Sequence, residues 1–378
     1  MIEHIISTIF FIMTLAYLFG AIYLISGLKK LNNDTSKRTP FISIIVSMHN
    51  EEKNVKECLA ALLNQVYPEE KMEIIIVNDR STDKTADYLD ELSQKHRQLY
   101  IITINDIQPA IAPKKLAIDT AIRKQAKGEI ILLTDADGRP GPLWAQSMVS
   151  FFTKDTGMVL GYAPYLISPP YNSFLNRLCA LEYFSHAAIT LTTTARGYPL
   201  SCVGTNMAYR KEVFLQLDGF GKYKVYPSGD DDLFMQRVRE ETKWKIRYAS
   251  IANAHVYNAP PESWKKFYHQ RLRYASKGFF YPSGITITLT GYVLLNVLFL
   301  LLPVLVIFNI FYINPLLTCL LIKIVSEILF FLRTAKVIQD KRNLIFIPIF
   351  SLLHIPYVVY FTIASQFQSF EWAGIRKK

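Results

Sequence analysis

From Ile5 to Leu28 the chain carries no charged side chain, and most of residues 284–366 is apolar in the same way. A helix needs roughly 20 apolar residues to cross the hydrocarbon core of a bilayer. In that core every backbone N–H and C=O must find its partner inside the protein, so unbroken apolar runs of this length read as helices. The stretch between them must then fold as a domain held against a membrane from both sides. With 51% hydrophobic and only 19% charged residues among 378, a disordered or fibrous chain is excluded, and the concentration of apolar residues in two end regions argues against a purely soluble enzyme.

The first apolar run follows Glu3 and His4 and precedes Lys29, Lys30, Lys37 and Arg38, the reverse of a basic leader ahead of a short apolar core. It reads as a transmembrane anchor over residues 1–28, with the basic side cytoplasmic and the N-terminus outside. The C-terminal region, 284–366, divides into about three segments: 284–311, kinked at Pro303, then 313–332 after Asn314-Pro315, then 344–366. Arg333, Lys336, Lys341 and Arg342 between the last two place that connection in the cytoplasm, in agreement with a cytoplasmic domain. Three crossings would nevertheless leave the basic tail (367–378, with Arg376, Lys377 and Lys378) outside. Either the charge rule fails at the tail, or one segment is re-entrant or interfacial. Lys323 and Glu327, one helical turn apart in an apolar run, read as an intramembrane ion pair that lines a lipid path or ties helices together.

The net charge of +11 needs no nucleic-acid partner, because juxtamembrane Lys and Arg facing anionic lipid account for much of it. Cys58, Cys179, Cys202 and Cys319 lack the spacing of a zinc site or a disulfide framework.

Residues 41–263 alternate between strand and helix patterns. Strands are expected at Phe41 to Val46, Glu73 to Val77, Tyr100 to Thr103 and Ile130 to Thr134, with helices at Val55 to Val66, Thr82 to Lys95 and Lys115 to Lys127. This is the βαβαβαβ start of an α/β fold with a parallel sheet, whose ligands sit beyond the carboxyl ends of the strands. Polar residues cluster there: Ser47, His49, Asn50 and Glu51, then Asn78, Asp79 and Arg80, then Asp135 and Asp137. Two carboxylates separated by one small residue at a strand exit offer oxygen ligands to a hard divalent cation and leave room for phosphates. No glycine-rich phosphate loop is present to do that work instead.

In this order the motifs resemble those of family 2 glycosyltransferases with the GT-A fold. The membrane-anchored branch is the nearest match, with cellulose, hyaluronan and poly-N-acetylglucosamine synthases and glycolipid glucosyltransferases. The resemblance rests on Ile44 to Glu52, Gln65 to Pro68, Ile75 to Asp83, Lys114 to Ile118, Asp135 to Asp137, Gly204 to Arg210, Asp230 to Leu233 and Gln270 to Tyr274. It implies a Rossmann-like nucleotide-diphospho-sugar domain with flanking transmembrane helices. It also implies a UDP-sugar donor, with Asp79 on the uracil, Ser47, His49, Asn50 and Glu51 shaping the uridine pocket, and Lys114 and Asp135 at the nucleotide. Asp137, with Asp135, would hold Mg²⁺ or Mn²⁺. Asp231, beside Asp230, matches the catalytic aspartate, and Gln270, Arg273 and Tyr274 match the element that closes over diphosphate and acceptor. His49 is expected to stack or hydrogen bond near the base. Ser47, Asn78, Asp230 and Tyr274 stand where the family usually has proline, aspartate, glutamate and tryptophan.

The chemistry of those residue types agrees. Transfer needs a stabilised leaving diphosphate and a carboxylate to take the acceptor proton. Asp230 to Asp232 also reads as an acidic helix N-terminus complementing the dipole. His255 reads as a packed or exposed loop histidine or as a further metal or phosphate ligand. Residues 264–283 mix Trp264, Phe267, Tyr268, Phe279, Phe280 and Tyr281 with Lys265, Lys266, Arg271 and Lys277, the pattern of an interfacial amphipathic helix. The expected activity is inverting transfer to a lipid-linked or glycan acceptor at an inner or plasma membrane. A processive polysaccharide synthase and, from another class, an inactive scaffold or transporter subunit are the competing readings.

Overall fold

A computed structural model of the chain describes residues 2–106, 108–276, 283–372 and 375–377. The domain opens with β1 (Ile42–Met48), α2 (Val55–Leu63), β2 (Met72–Asp79), α3 (Thr85–Ser93), β3 (Leu99–Ile104), α4 (Pro113–Lys124) and β4 (Ile130–Leu133). Every residue of β2 is buried, as a central strand covered on both faces requires. The four strands are parallel, in the order β3-β2-β1-β4.

The expected elements are all present, with shifted ends. β1 and β2 each run two residues further than the apolar pattern, so Ser47, Asn78 and Asp79 lie on strands and not after them. The third helix starts at Thr85 because the Asp83 carboxylate accepts the Thr85 N–H (3.0 Å) and closes the turn before it. The fourth starts two residues earlier, at Pro113, where the missing N–H of proline has no cost.

After a short β5 (Arg139–Pro140) and α5 (Trp144–Ser150), the chain adds β6 (Thr156–Gly161), the long α6 (Phe174–Ala195), β7 (Met207–Arg210), α7 (Lys211–Gln216), α8 (Asp232–Glu241) and β8 (Lys245–Ala249). β7 inserts antiparallel between β4 and β6, completing a seven-stranded sheet in the order β3-β2-β1-β4-β7-β6-β8. β9 (Val256–Tyr257) pairs with β5, and α9 (Trp264–Ala275) follows.

Among the described residues four helices are long and apolar enough to cross a membrane: α1 (Ile2–Gly27), α10 (Ser283–Ile307), α11 (Ile313–Ile338) and α12 (Ile347–Phe367). Pro303 falls inside α10, which ends four residues before the sequence pattern does. α11 runs six residues past it, because Phe330, Phe331, Ala335 and Ile338 bury in the same apolar cluster as Ile45, Val77 and Phe184 of the sheet domain. Arg333 and Lys336 therefore lie on a helix and not in a loop. Leu24, Ile25 and Leu28 pack against that cluster too, so the first and third apolar helices are fused to the domain. Of the expected interfacial segment, Lys277, Phe279, Phe280 and Tyr281 lie outside the described residues.

Candidate active site

The loops after β1 and β2 interlock. Asn50, at φ +57°, donates its N–H to Ser81 Oγ (3.0 Å) and accepts the Thr82 N–H on its side-chain oxygen (2.7 Å). Glu51 N–H donates to Thr85 Oγ1 (2.8 Å), and Glu52 N–H to the Asp83 carboxylate (3.1 Å). His49 Nδ1 lies 2.6 Å from the Asp79 carbonyl oxygen. The sequence placed His49 near a base; here its ring clamps one loop to the other. Asp79 is buried at the end of β2, and both carboxylate oxygens accept from Arg80 (2.7 and 2.9 Å). Parallel strands stand about 4.8 Å apart and β1 lies between β2 and β4, so Asp79 is offset about 10 Å across the sheet from the line of β4 and lies further along the strand direction than its end.

Past β4 the carboxylates gather. Lys114, one residue into α4, puts Nζ 2.7 Å from Asp135 Oδ1 and 2.9 Å from Asp230 Oδ2. Burial lowers its proton affinity, but the two carboxylates outweigh it and hold Lys114 well above the ordinary lysine range. The second Asp135 oxygen accepts from the Thr205 hydroxyl. Burial pushes Asp135 up, yet the Lys114 charge and these hydrogen bonds outweigh it and leave Asp135 below the usual carboxylate range. Gly204 N–H donates to Asp231 Oδ2 (3.1 Å), while Asp231 Oδ1 accepts from the Asp232 N–H (2.7 Å) as the N-cap of α8. The helix-terminus role and the site role thus fall on one residue. A Cβ on Gly204 would sit 3.2 Å from both Asp230 Oδ2 and Lys114 Nζ, so a side chain there would make that pair shift by a few tenths of an ångström.

Asp137 differs from its neighbours. Its side chain opens toward solvent, but it stands in a cleft where burial, Asp135 and Glu51 together push it up to about 6. Burial likewise raises Glu51, which also faces Asp135 and Asp83. The Glu51, Asp135 and Asp137 carboxylates thus stand near enough to feel one another, tempered by Arg139 and Lys266, and oxygen ligands grouped in this way suit a hard cation. Among the described residues no three His, Cys, Asp or Glu side chains converge as a complete metal cage. Asp137, with the remaining lone pairs of Asp135, would supply only part of a shell, and phosphate and water oxygens the rest.

The α9 residues approach from the other side. Lys266 lies close enough to Glu51 to lower its proton affinity, and Tyr274 packs with Ala163, Tyr165 and Tyr183. Tyr183 in turn feels the charge of Asp135. Arg273 stacks 5.2 Å from the Tyr274 ring centroid. Gln270 Oε1 accepts from Arg271 (2.7 Å) and Tyr165 (3.5 Å).

The structure adds residues that the motifs did not single out. Thr205 and Gly204 position the two aspartates; both stood in a quoted motif without a role. Asn206 beside them is fully buried, donates to the Tyr162 and Ala254 carbonyls (2.7 Å each) and accepts from Trp144 Nε1 (3.0 Å), so it holds β7 to its surroundings. Arg271 is 1% exposed and ion-paired with Glu182 of α6. An arginine buried against a glutamate 89 residues away leaves no local signal in sequence. His255 proves to be a packed histidine: it is buried edge-on to Tyr162, and burial lowers it to about 4.

Comparisons with known proteins bear on the family and the fold. Residues 43–217 match the family model described as Glycosyl transferase family 2. Over 252 residues, 64% of this chain and 56% of the other, the chain is 26% identical to the probable glycosyltransferase YdaM of Bacillus subtilis. It is 31% identical over 116 residues, 31% of this chain and 24% of the other, to a beta-monoglucosyldiacylglycerol synthase of Nostoc. The chain thus spans about half the length, or less, of these curated relatives. In structure it matches the mannosyltransferase PcManGT of Pyrobaculum calidifontis, solved with GDP-Man and Mn²⁺, at a TM-score of 0.59 and 18% identity, over 96% of this chain and 99% of that one. That likeness establishes a shared fold.

Proposed function

We propose, from the match of residues 43–217 to the family 2 glycosyltransferase model, that the protein moves a sugar from a UDP-sugar to a lipid-linked or membrane-associated acceptor, with inversion, at the cytoplasmic face of an inner or plasma membrane. The observation that carries this reading is the junction at Lys114. One ammonium holds the carboxylate of the strand-exit pair, Asp135, and the carboxylate beside the N-cap, Asp230, at a fixed separation. Asp231, next to Asp230 and held by the Gly204 N–H, lies near enough to Asp135 for its charge to be felt there, which supports a shared site.

In this reading Asp79 and the interlocked loops take the nucleobase end of the donor. When bound, Mg²⁺ or Mn²⁺ held by Asp137 with Asp135 would neutralise the diphosphate. Asp231 accepts the proton of the attacking acceptor hydroxyl, its carboxylate aimed by the two N–H donors. α9 closes the site through Gln270, Arg273 and Tyr274, and its position between the domain and the apolar helices supports an acceptor that arrives from the membrane. A relative named as a glucosyldiacylglycerol synthase supports a lipid acceptor.

The test is nucleotide release by the purified full chain, offered a panel of UDP-sugars and GDP-mannose with Mg²⁺ or Mn²⁺, with and without membrane lipid extract. One UDP-sugar should be consumed, faster with lipid, and Asp231→Asn should abolish turnover while UDP binding persists. Release from GDP-mannose alone would overturn the donor assignment, and full turnover by Asp231→Asn would overturn the choice of base.

A further inference from the structure

The last apolar helix, α12, packs on α6 and α9 of the sheet domain as well as on α10 and α11. Two landmarks give the bundle its direction. On the side away from the domain, the Tyr312 N–H donates to Glu3 Oε1 (2.9 Å), joining the start of α1 to the turn between α10 and α11. On the domain side, Arg196 at the end of α6 bonds the Tyr23 carbonyl and Ser26 near the end of α1, and the last turns of α11 enter the domain core.

α12 begins on the domain side. Just before it, Phe346 packs 5.7 Å from Phe174 at the start of α6, and Asn343 accepts from Arg177 (3.2 Å). Midway, the Tyr357 hydroxyl donates to Glu182, also on α6 (3.1 Å). At its end, Phe361 packs 6.1 Å from Phe267 of α9, Tyr360 and Tyr268 hydroxyls lie 3.2 Å apart, and Gln368 accepts from Tyr268. The strand that follows, β10 (Phe370–Trp372), lies against α9 and pairs with β11 (Ile375–Lys377).

A 21-residue helix is about 30 Å long, enough to carry the chain across the hydrocarbon core. Had it crossed, Gln368 would stand near Glu3 and Tyr312. Instead it stands on α9, which Arg271 ties to α6. Beginning, middle and end of α12 all lie along helices of the sheet domain. It meets α11 through Phe350 on Phe331 and Ser351 on Glu327 and Lys323, just where α11 leaves the domain core, and Ile355 joins the apolar cluster of Phe10, Phe299 and Cys319 at the bundle.

We infer that α12 does not cross the membrane: it lies in the plane of the domain-side leaflet, so that the chain crosses three times and its basic tail stays with the catalytic domain. Ile349, Leu352, Leu353, Ile363 and Phe367 are exposed and fall within about 100° of one another around the helix. Their occupant is the acyl chains of that leaflet, because α12 leaves the same bundle as the crossing helices, with Tyr292 of α10 on His354 (3.2 Å), and turns its other face to α6 and α9. The conflict in the charge pattern then disappears, since Arg376 and Lys377 join Lys29, Lys30, Lys341 and Arg342 on one side.

This inference rests on the membrane setting proposed above. The test uses the full chain in sealed membrane vesicles of both orientations and a membrane-impermeant maleimide, with Arg97→Cys in the domain, Asn314→Cys in the α10 to α11 turn and Lys377→Cys in the tail. Lys377→Cys should label from the face that labels Arg97→Cys, with loss of labelling from the face that labels Asn314→Cys. Labelling with Asn314→Cys instead would overturn the in-plane helix. If Asn314→Cys and Arg97→Cys share a face, α10 and α11 do not cross and the membrane reading itself fails. A reporter fused after Lys378 that is active on one side only reads the tail independently of maleimide access, and activity on the Asn314 side would likewise overturn the proposal.

Discussion

Replacing Arg271 by methionine removes one half of a buried ion pair and leaves the other half behind. Glu182 lies 7% exposed on α6, paired to Arg271, with His186 (3.1 Å) and the Tyr357 hydroxyl (3.1 Å) on its other oxygen. Burial alone would raise its carboxyl, but the Arg271 charge, helped by His186, holds Glu182 down at about 2 against an ordinary 4.5. At 1.36 kcal/mol per tenfold change in proton affinity, that difference corresponds to about 3 kcal/mol. The figure agrees with the roughly 3 to 5 kcal/mol lost when one partner of a buried pair is removed. Arg271→Met should therefore lower the unfolding free energy of the detergent-solubilised chain by about 3 kcal/mol, read by denaturant unfolding followed through fluorescence. Glu182→Gln should cost less, because the amide still accepts from Arg271. Combined with Glu182→Leu, Arg271→Met should cost less than the sum of the two singles, because no charge is left unpaired. The folded-state pKa lies below the unfolded one, so this stabilisation is complete above pH about 4.5 and fades as pH falls toward 2; Glu182→Gln should lack that slope. If Arg271→Met unfolds within about 0.5 kcal/mol of wild type, the pair is not the clamp between α9 and α6 described above.

Three further outcomes follow from the site and its surroundings. Asp137→Asn should weaken UDP binding in the presence of Mn²⁺ and leave metal-free binding nearly unchanged, as isothermal titration would read. Gly204→Ala brings a methyl within 3.2 Å of the Lys114 and Asp230 pair, so turnover should fall while the thermal midpoint moves little; unchanged turnover would show that the pair has room to spare. His255 is held at about 4 by burial, opposed by Asp340 and joined by Arg342, so it stays neutral when folded. Because the unfolded histidine binds its proton near pH 6.5, wild type should lose stability as pH falls from about 6.5 to 4, and His255→Phe should not.

Much of this protein could be read from residue order. Apolar runs at both ends, four strands of isoleucine and valine, and polar residues at the strand exits are local patterns, and local patterns report burial because each element must hide its own apolar face. The Lys323 and Glu327 pair was legible for the same reason, one helical turn apart, and the structure joins the two and caps them with Tyr17 and Ser351. The sheet edge carrying Asp79, Asp135 and Asp137 followed from strand parity alone.

What only the folded chain decided were encounters between distant segments. Lys114 matched a nucleotide-binding motif, but it is Asp230, more than a hundred residues on, that makes it a bridge. In the Gln270 to Tyr274 element the sequence drew attention to Arg273, whereas Arg271 is the residue that buries, because Glu182 happens to lie opposite. α12 has the length and composition of a crossing helix, and those properties were all that sequence could weigh. Whether such a helix spans a bilayer or lies along it depends on what its two ends touch, and Tyr268 and Phe174, which receive them, are neighbours of α12 only in space.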